Sequence, residues 1–321
     1  MAFKPPAPTP KGLWRRTPPA IFPPVFGLLA LGLAWRRGAG MLGIPGEAVE
    51  LFLGGCTLLY LMMAVAYAAK LVRRPGVLHD ELQVLPGRAG VAAAVLSMYL
   101  LAAVLAPYVP AAARVILLVG LGAHLALVGL SVLELIRAPA ERRRVTPVWH
   151  LTYSGFVVGA LVAPGVGFAQ LGFVLAWVGA ASALLIWGAS AEQFRRERVP
   201  APLRPLLAIH LSPGAILGSI ALEAGQPGLA LGFAVFAAAL LVAFAGSARW
   251  MLNAGFSPLW GALTFPVAAT AQLWLAMGGG WQIAGAAVLI LATLGIPVIA
   301  FRVLRAWASG ALAIKTNAAV A

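Results

Sequence analysis

Charged side chains are scarce in this chain: Asp, Glu, Lys and Arg together make up 10% of its 321 residues. A soluble domain typically carries about 25% charged residues, so these few charges cannot cover a surface that faces water throughout. Hydrophobic residues make up 62% of the chain, against about 45–50% in a soluble domain. Most of the surface must therefore face lipid, and the composition predicts an integral membrane protein.

Cysteine is also nearly absent, occurring once as Cys56 inside an apolar run. A single cysteine excludes an internal disulfide and a cysteine metal cluster. The chain has only four His and nine acidic residues, which leaves little material for hydrolytic or redox chemistry. The sequence shows no zinc-protease pair, no nucleophile elbow and no lysine-bearing phosphate loop. We therefore expect a protein that is not an enzyme and that has no cofactor and no metal.

The net charge of +14 would suggest a nucleic-acid partner in a soluble protein. Here Lys and Arg lie in short clusters between apolar runs, which is the pattern that sets membrane topology, so no nucleic-acid partner is expected. The basic, Pro-rich N-terminus leads into a long apolar run. That run ends at Trp35-Arg36-Arg37 rather than at a small-residue cleavage site, so we interpret it as a retained span rather than a signal peptide.

Ten apolar runs are long enough to cross a bilayer as helices. Crossing the hydrocarbon core of about 30 Å takes roughly 20 helical residues, and lipid offers no hydrogen-bond partner to a non-helical backbone. The predicted spans, numbered 1 to 10 in chain order, are 20–36, 46–69, 90–107, 111–136, 147–164, 167–188, 205–222, 228–249, 258–277 and 280–301. The sequence thus predicts an all-α polytopic membrane protein: a transmembrane domain over 20–307, flanked by an N-terminal segment, 1–19, and a C-terminal tail, 308–321.

The basic residues also predict the orientation of the spans. If the N-terminus is cytoplasmic, all but three of the 23 Lys and Arg fall on the cytoplasmic side, the exceptions being Arg36, Arg37 and Arg114. So lopsided a distribution predicts that both termini are cytoplasmic, in an inner membrane of bacterial type. The clusters Arg142–Arg144 and Arg195–Arg198 are expected to contact anionic membrane lipids.

Loop lengths and helix breakers divide the spans into two kinds. The connections after spans 3, 5, 7 and 9 are only a few residues long, so the spans are expected to pair as five antiparallel hairpins. Most odd spans carry Pro or Gly residues that interrupt a regular helix. These residues are Pro23, Pro24 and Gly27 in span 1, Gly155 and Gly159 in span 5, Pro213, Gly214 and Gly218 in span 7, and Pro266 in span 9.

Irregular backbone at membrane depth is tolerated only where it is buried in protein or lines a watery cavity. We therefore predict that the five hairpins surround a central pore, with the odd spans lining it and the smoother even spans facing lipid. For the two Gly-x-x-x-Gly pairs of spans 5 and 7, close helix packing is the alternative interpretation.

Four segments resemble one known family. Span 1, TPPAIFPPVFGLLALGLAWRR, and the stretch FSPLWGALTFPVAATAQLW around span 9 are similar to the tellurite-resistance/dicarboxylate transporter family, which includes the plant guard-cell slow anion channels. PLRPLLAIHLSPGAILG and TPVWHLTYSGFVVGALVAPGVGF resemble its seventh and fifth spans, so the likeness covers nearly the whole chain. The sequence departs from the family pattern at Gly261, where a second Trp is common, and at Ser212-Pro213-Gly214, where Pro-Pro is more typical.

The resemblance implies an anion channel or transporter whose five hairpins are arranged around a quasi-fivefold axis. It also implies a homo-trimer with one pore in each protomer, and a pore occluded by a phenylalanine of span 9. The matching position is Phe265, and an apolar ring in a narrow pore blocks ions by steric closure and dewetting. An ordinary core phenylalanine is the alternative for this residue.

Two histidines lie near the starts of predicted pore-lining spans, His150 in span 5 and His210 in span 7. Histidine titrates around physiological pH, so the two could bind an anion or sense acidity at the inner mouth. The alternative is that each histidine binds a backbone carbonyl that a bent helix has freed.

The expected substrates are small inorganic or organic anions. The odd spans as predicted contain no Lys or Arg within the membrane, which favours a channel or facilitator over a pump with an acid relay. The alternative within transport is a carrier or exporter for C4-dicarboxylates, sulfite or tellurite. An enzyme that modifies lipids would need a cluster of acids or histidines near one interface, and His79, Asp80 and Glu81 are the only approximation to one. A purely structural scaffold is a third class, against which the interrupted odd spans argue.

Overall fold

The computed structural model describes residues 12–139 and 143–321. Within these residues, nine helices are long and apolar enough to cross a membrane, and a shorter apolar helix, His150–Val162, lies where the fifth span was predicted. The prediction of an all-α polytopic membrane protein is thereby confirmed. Residues 1–11 of the predicted N-terminal segment, and Arg142 of the first arginine cluster, lie outside the described residues.

Six spans are single α-helices, and four begin with a helix of another type. The single helices are Gly46–Arg73 (span 2), Leu85–Leu105 (span 3), Pro110–Arg137 (span 4), Ala169–Arg196 (span 6), Pro227–Gly246 (span 8) and Gly279–Ala308 (span 10). In spans 1, 7 and 9 a 3₁₀ stretch precedes the α-helix: Pro19–Ile21 before Phe22–Gly38, Ala201–His210 before Leu211–Glu223, and Pro258–Leu263 before Thr264–Met277. Span 5 begins with a π-helical turn, His150–Ser154, before Phe156–Val162.

Several helices extend beyond the apolar runs that predicted them. Span 6 continues from the predicted end at 188 to Arg196, where Glu192 and Arg196 form an i,i+4 ion pair of 2.5 Å. Hydropathy stops at the first polar residues, but the helical hydrogen bonds continue through them. Arg88 and Arg204 consequently fall within the first turns of spans 3 and 7, and Arg36 and Arg37 lie in the last turn of span 1. The expectation that odd spans lack Lys and Arg is therefore correct only for the central parts of these spans.

Burial separates the odd spans from the even ones. In spans 1, 3, 7 and 9, 61–78% of the most apolar window is buried, against 17–39% in the five even spans. Each odd span packs against its hairpin partner, and the odd spans also contact one another in the order 1, 3, 5, 7, 9 and back to 1. The odd spans therefore form a closed inner ring, and the even spans form an outer layer.

The prolines of the inner spans lie where a 3₁₀ stretch passes into an α-helix. Pro23 and Pro24 lie in the first turn of the α-helix that begins at Phe22, and Pro213 and Pro266 occupy the third positions of theirs. The first-turn N–H groups of an α-helix have no α-helical partner, so a proline there removes no α-helical hydrogen bond. These prolines therefore mark a change of helix type near the helix start rather than a kink in the middle of the span.

A buried ion pair joins the chain termini at one end of the bundle. The ammonium of Lys70, at the end of span 2, donates to Glu81 Oε1 at 2.5 Å and to the Thr17 carbonyl at 2.9 Å. Both charged side chains are fully enclosed, and the Ala319 N–H of the C-terminal tail also donates to Glu81 Oε1. This one pair of charges thus connects span 2 to the short helix Val77–Gln83 and to both terminal segments.

Candidate functional site

The inner ring encloses two cavities, one above the other. Most of the Lys and Arg in the described part of the chain lie toward one side of the bundle, which we call the basic side. On the opposite side lies the far cavity, of about 200 Å³. All five odd spans line it, through Ala30, Leu33, Leu100, Ala103, Ala106, Val158, Leu161, Val162, Gly165, Ile216, Ser219, Glu223, Phe265, Ala269 and Gln272.

The second cavity, the near cavity, lies toward the basic side and has a volume of about 30 Å³. It too has lining residues from all five odd spans, among them Ala20, Pro86, Leu151, Leu206 and Ala262. Except for a few polar atoms its wall is apolar. No even span contributes to either cavity within the described residues.

Phe265 lies between the two cavities and lines both of them. Its ring is 6% exposed and stacks on Phe26 of span 1, with a centroid distance of 3.9 Å and an interplanar angle of 13°. Phe26 lines the near cavity. Two aromatic rings from neighbouring inner spans therefore occupy the space where the cavities approach each other. The sequence analysis missed Phe26, although it lies next to Gly27 in a span already marked by its prolines.

The breakers named from the sequence divide into two groups by position. Pro23 and Pro266 line the near cavity, and Gly155 and Pro213 line a smaller space beside Phe265. The others face neighbouring helices: a Cβ atom at Gly159 would lie 3.2 Å from Tyr99, at Gly214 2.9 Å from Phe236, and at Gly218 2.7 Å from Leu273. Pro24 and Gly27 pack against span 9. Most of these glycines therefore allow neighbouring helices to pack closely.

Spans 1 and 9 approach each other closely through small residues. A Cβ atom at Gly27 would lie 2.1 Å from Thr264 Oγ1, and one at Gly261 would lie 3.0 Å from Pro23. The Thr264 hydroxyl is 2.7 Å from the Gly261 carbonyl and 3.2 Å from that of Pro23. Glycine at 261 thus leaves room for the two prolines of span 1. This close contact sets the position of Phe265, the residue after Thr264.

His150 and His210 bind each other, an arrangement that the sequence analysis did not consider. His150 Nε2 lies 2.9 Å from His210 Nδ1, and His150 Nδ1 lies 2.9 Å from Ser154 Oγ. The Ser154 hydroxyl donates to the His150 carbonyl, so its oxygen accepts from Nδ1–H of His150. In the neutral pair, Nε2 of His150 then accepts from Nδ1–H of His210. His210 Nε2 is left as the acceptor that a further proton would reach first.

The two histidines face different spaces. His150 lines the small space beside Phe265, while His210 lines a groove between spans 6, 7 and 8. The pair therefore spans the wall between the outer groove and the centre of the ring. The π-helical turn at His150–Ser154 is the local feature that positions this side chain, and such turns are frequent at functional sites.

A third histidine, His124 of span 4, stabilises the same region. Its Nε2 lies 2.9 Å from the Thr152 carbonyl, and its ring stacks on Phe156 at 4.0 Å. Thr152 lies in the π-helical turn, so His124 binds a carbonyl of the irregular stretch. The carbonyl contact considered for His150 and His210 is thus made by His124.

Charges at the end of the far cavity are paired. Glu223 lines this cavity, and its Oε1 lies 3.6 Å from Arg37 Nη2. Arg36 forms a bidentate pair with Glu50, with both distances 2.7 Å. The single carboxylate of the far cavity is therefore offset by an adjacent arginine.

The inner spans form a closed ring around two cavities, and long apolar helices surround this ring. This architecture is that of a polytopic membrane protein of the transport class. The chain matches the model of the voltage-dependent anion channel (SLAC1) family over residues 16–304, and it belongs to that family. The resemblance to slow anion channels is thereby confirmed, and anion transport across the membrane is the activity that the family supports. A comparison with curated proteins found no match.

Proposed function

We propose that small anions cross the membrane through the centre of the inner ring, and that Phe265 closes this path. The observation that carries the proposal is the position of the Phe265 ring, stacked on Phe26 between two cavities lined by all five odd spans. An apolar constriction of this kind excludes ions by size and by dewetting. Moving or removing the ring would join the two cavities into one path.

The charge distribution supports anions as the substrate. Within residues 12–139 and 143–321, all Lys and Arg except Arg36, Arg37 and Arg114 lie toward the basic side, and a positive rim raises the local concentration of anions at a pore mouth. The cavity walls themselves are largely apolar, so selectivity would rest on diameter and on backbone and hydroxyl dipoles. By the same distribution the basic side would be cytoplasmic, with both termini in the cytoplasm and the protein in an inner membrane of bacterial type. A homo-trimer with one path per protomer completes the proposal.

The test is anion flux in liposomes, measured with and without an imposed proton gradient. Purified protein reconstituted with a chloride- or nitrate-sensitive dye inside is expected to give flux at the same rate in both conditions, because a channel needs no coupled ion. Empty liposomes provide the control. Absence of flux for every anion tested would contradict the proposal.

The same experiment distinguishes a coupled carrier, for which the His150–His210 pair is the specific observation. A bonded pair of imidazoles next to the centre of the ring can take up and release a proton. Flux of a C4-dicarboxylate, sulfite or tellurite that strictly requires the proton gradient would favour a carrier or exporter over a channel.

Acidification is expected to increase anion flux through the histidine pair. Protonation of the pair adds a positive charge beside Phe265, which favours an anion there. The charged groups on the groove side of the pair are Arg144, Arg198 and Glu197. Because the pair is buried, its charged form is disfavoured, so the rise in flux should come only toward the acid end of a series from pH 8 to about 4. The rise should disappear in a His150→Ala/His210→Ala variant.

The control for this pH series is His79→Ala, because His79 is half-exposed and pairs with Glu134 away from both cavities. This variant should keep the pH response. A response in the double variant equal to that of the wild type would remove the pair as the sensor.

A further inference from the structure

A long groove in the outer layer is separate from the central cavities. It lies between spans 6 and 8, has a volume of about 820 Å³, and has the 3₁₀ stretch of span 7 as its floor. We call it the lateral groove. Its walls are mainly aromatic and aliphatic, including Trp187 and Phe194 from span 6 and Phe236, Leu240 and Phe244 from span 8.

The length of the lateral groove corresponds to one leaflet. Its lining on span 8 runs from Phe236 to Ser247, a rise of about 17 Å at about 1.5 Å per residue. Half of a hydrocarbon core of about 30 Å is about 15 Å. The groove thus extends from the middle of the membrane to the interface on the basic side. Spans 6 and 8 are outer helices, so the groove opens toward lipid.

The mouth of the groove is basic. Arg144 and Arg198 line it together with Glu197, which pairs with Arg144. The segments around the mouth, 143–147 and 190–204, carry six arginines and two glutamates. Arg204 lies over the ring of Trp250 at 4.3 Å and donates to the Trp250 carbonyl, which holds the two sides of the mouth together. A ligand that enters between these residues meets an excess of positive charge.

Two buried hydroxyls lie between the apolar floor and the basic mouth. Thr146 Oγ1 and Ser190 Oγ both belong to groove-lining residues, and neither has a hydrogen-bond partner within the described residues. Buried hydroxyls are nearly always paired in folded proteins. Both oxygens are enclosed by neighbouring side chains, so they lie beneath the wall of the groove rather than on its surface.

We propose that the lateral groove binds an anionic phospholipid of the leaflet on the basic side. One acyl chain lies between spans 6 and 8 down to Phe236, and the headgroup phosphate binds at Arg198. Since His210 is part of the floor, the bound chain also covers the outer member of the histidine pair. The proposal requires only that the protein lies in a membrane, and it stands whether or not Phe265 is the gate.

Lipid retention measured by native mass spectrometry tests the site. Protein in mild detergent is titrated with phosphatidylglycerol or with phosphatidylcholine of the same acyl chains. The wild type is expected to bind phosphatidylglycerol at lower concentration. A single arginine near the membrane surface contributes enough to change affinity about fivefold. Arg198→Gln should therefore raise the half-saturating concentration of phosphatidylglycerol about fivefold, whereas Arg305→Gln, an exposed arginine of span 10 outside the groove, should leave it unchanged.

Two further variants separate binding from folding. Glu197→Gln removes the carboxylate at the mouth and should lower the half-saturating concentration of phosphatidylglycerol. This effect is opposite to that of Arg198→Gln, and a merely destabilised protein would not show it.

Ala243→Trp fills the groove and should remove one bound phosphatidylglycerol per protomer, while Ala245→Trp on the exposed face of the same helix should remove none. Equal retention by these two tryptophan variants, or equal affinity for both lipids, overturns the proposal. A change of oligomeric mass in Ala243→Trp without loss of lipid would overturn it in favour of a second copy seated in the groove.

Discussion

Replacing Phe265 with Ala is expected to raise anion flux through the protein about tenfold or more. The side chain fills the space between the near and far cavities, and truncation to Ala removes the ring and leaves space for water and ions. Lowering a barrier by only about 1.4 kcal/mol raises a rate about tenfold. The measurement is flux of chloride or nitrate into liposomes at equal protein content, compared with the wild type.

Two other phenylalanines serve as comparisons. Phe22 lies on span 1 as Phe26 does and is equally buried, but it packs edge-on against Tyr60 and Tyr67 of span 2 and faces neither cavity. Phe22→Ala should therefore leave flux unchanged. Phe26→Ala removes the ring on which Phe265 stacks, so it should raise flux, but less than Phe265→Ala does. Unchanged flux in a folded, correctly inserted Phe265→Ala protein would remove this residue as the gate.

Replacing Glu81 with Gln is expected to destabilise the protein by about 3–5 kcal/mol, because Lys70 would be left in a buried site without its counter-ion. Replacing both residues, as Lys70→Met/Glu81→Leu, should destabilise the protein much less, since no buried charge then remains. The measurement is the thermal unfolding of the detergent-solubilised protein, with size-exclusion chromatography as a check on folding.

The exposed pair Arg74–Asp80 lies next to the buried pair and provides its control. Its atoms are 2.7 Å apart, and both side chains are largely exposed to solvent. Exposed pairs contribute about 0–1 kcal/mol, so Arg74→Gln should change stability little. If Glu81→Gln were no more harmful than Arg74→Gln, the buried pair would not be what holds the terminal segments to span 2.

Some of the candidate site could be predicted because its signals are local in sequence. Prolines at 23, 213 and 266 mark three of the inner spans, since a residue without an N–H is tolerated only in a limited set of helical positions. Outer span 10 also has an internal proline, Pro297, so proline alone does not separate inner from outer spans. The three inner-span prolines were expected to bend the spans, yet they mark the passage from 3₁₀ to α-helix. The type of helix depends on which carbonyl each backbone N–H bonds to. The positions of the prolines alone do not determine these hydrogen-bond partners. Phe265 was found by resemblance, and its partner Phe26 was not.

Other parts of the site depend on residues distant in the chain. His150 and His210 are 60 residues apart, and neither of them indicates that the other is its hydrogen-bond partner. Lys70 lies directly after the predicted end of span 2 at 69 and was not singled out, and Glu81 was noted only together with His79 and Asp80. The structure shows that the two are enclosed together. A buried charge of this kind is recognisable only when its counter-ion and its covering segments are in place.

By itself, the sequence determined that this protein is a bundle of apolar helices in a membrane, the number and hairpin pairing of its spans, and which spans are irregular. Those properties follow from the free-energy cost of placing unpaired backbone groups and charges in lipid. This cost applies to each segment independently of the rest of the chain. Only the tertiary structure decided which side chains meet at the centre of the inner ring and which surfaces remain open as grooves. These contacts arise when the ring closes from span 9 back to span 1, and they depend on packing between helices far apart in the chain.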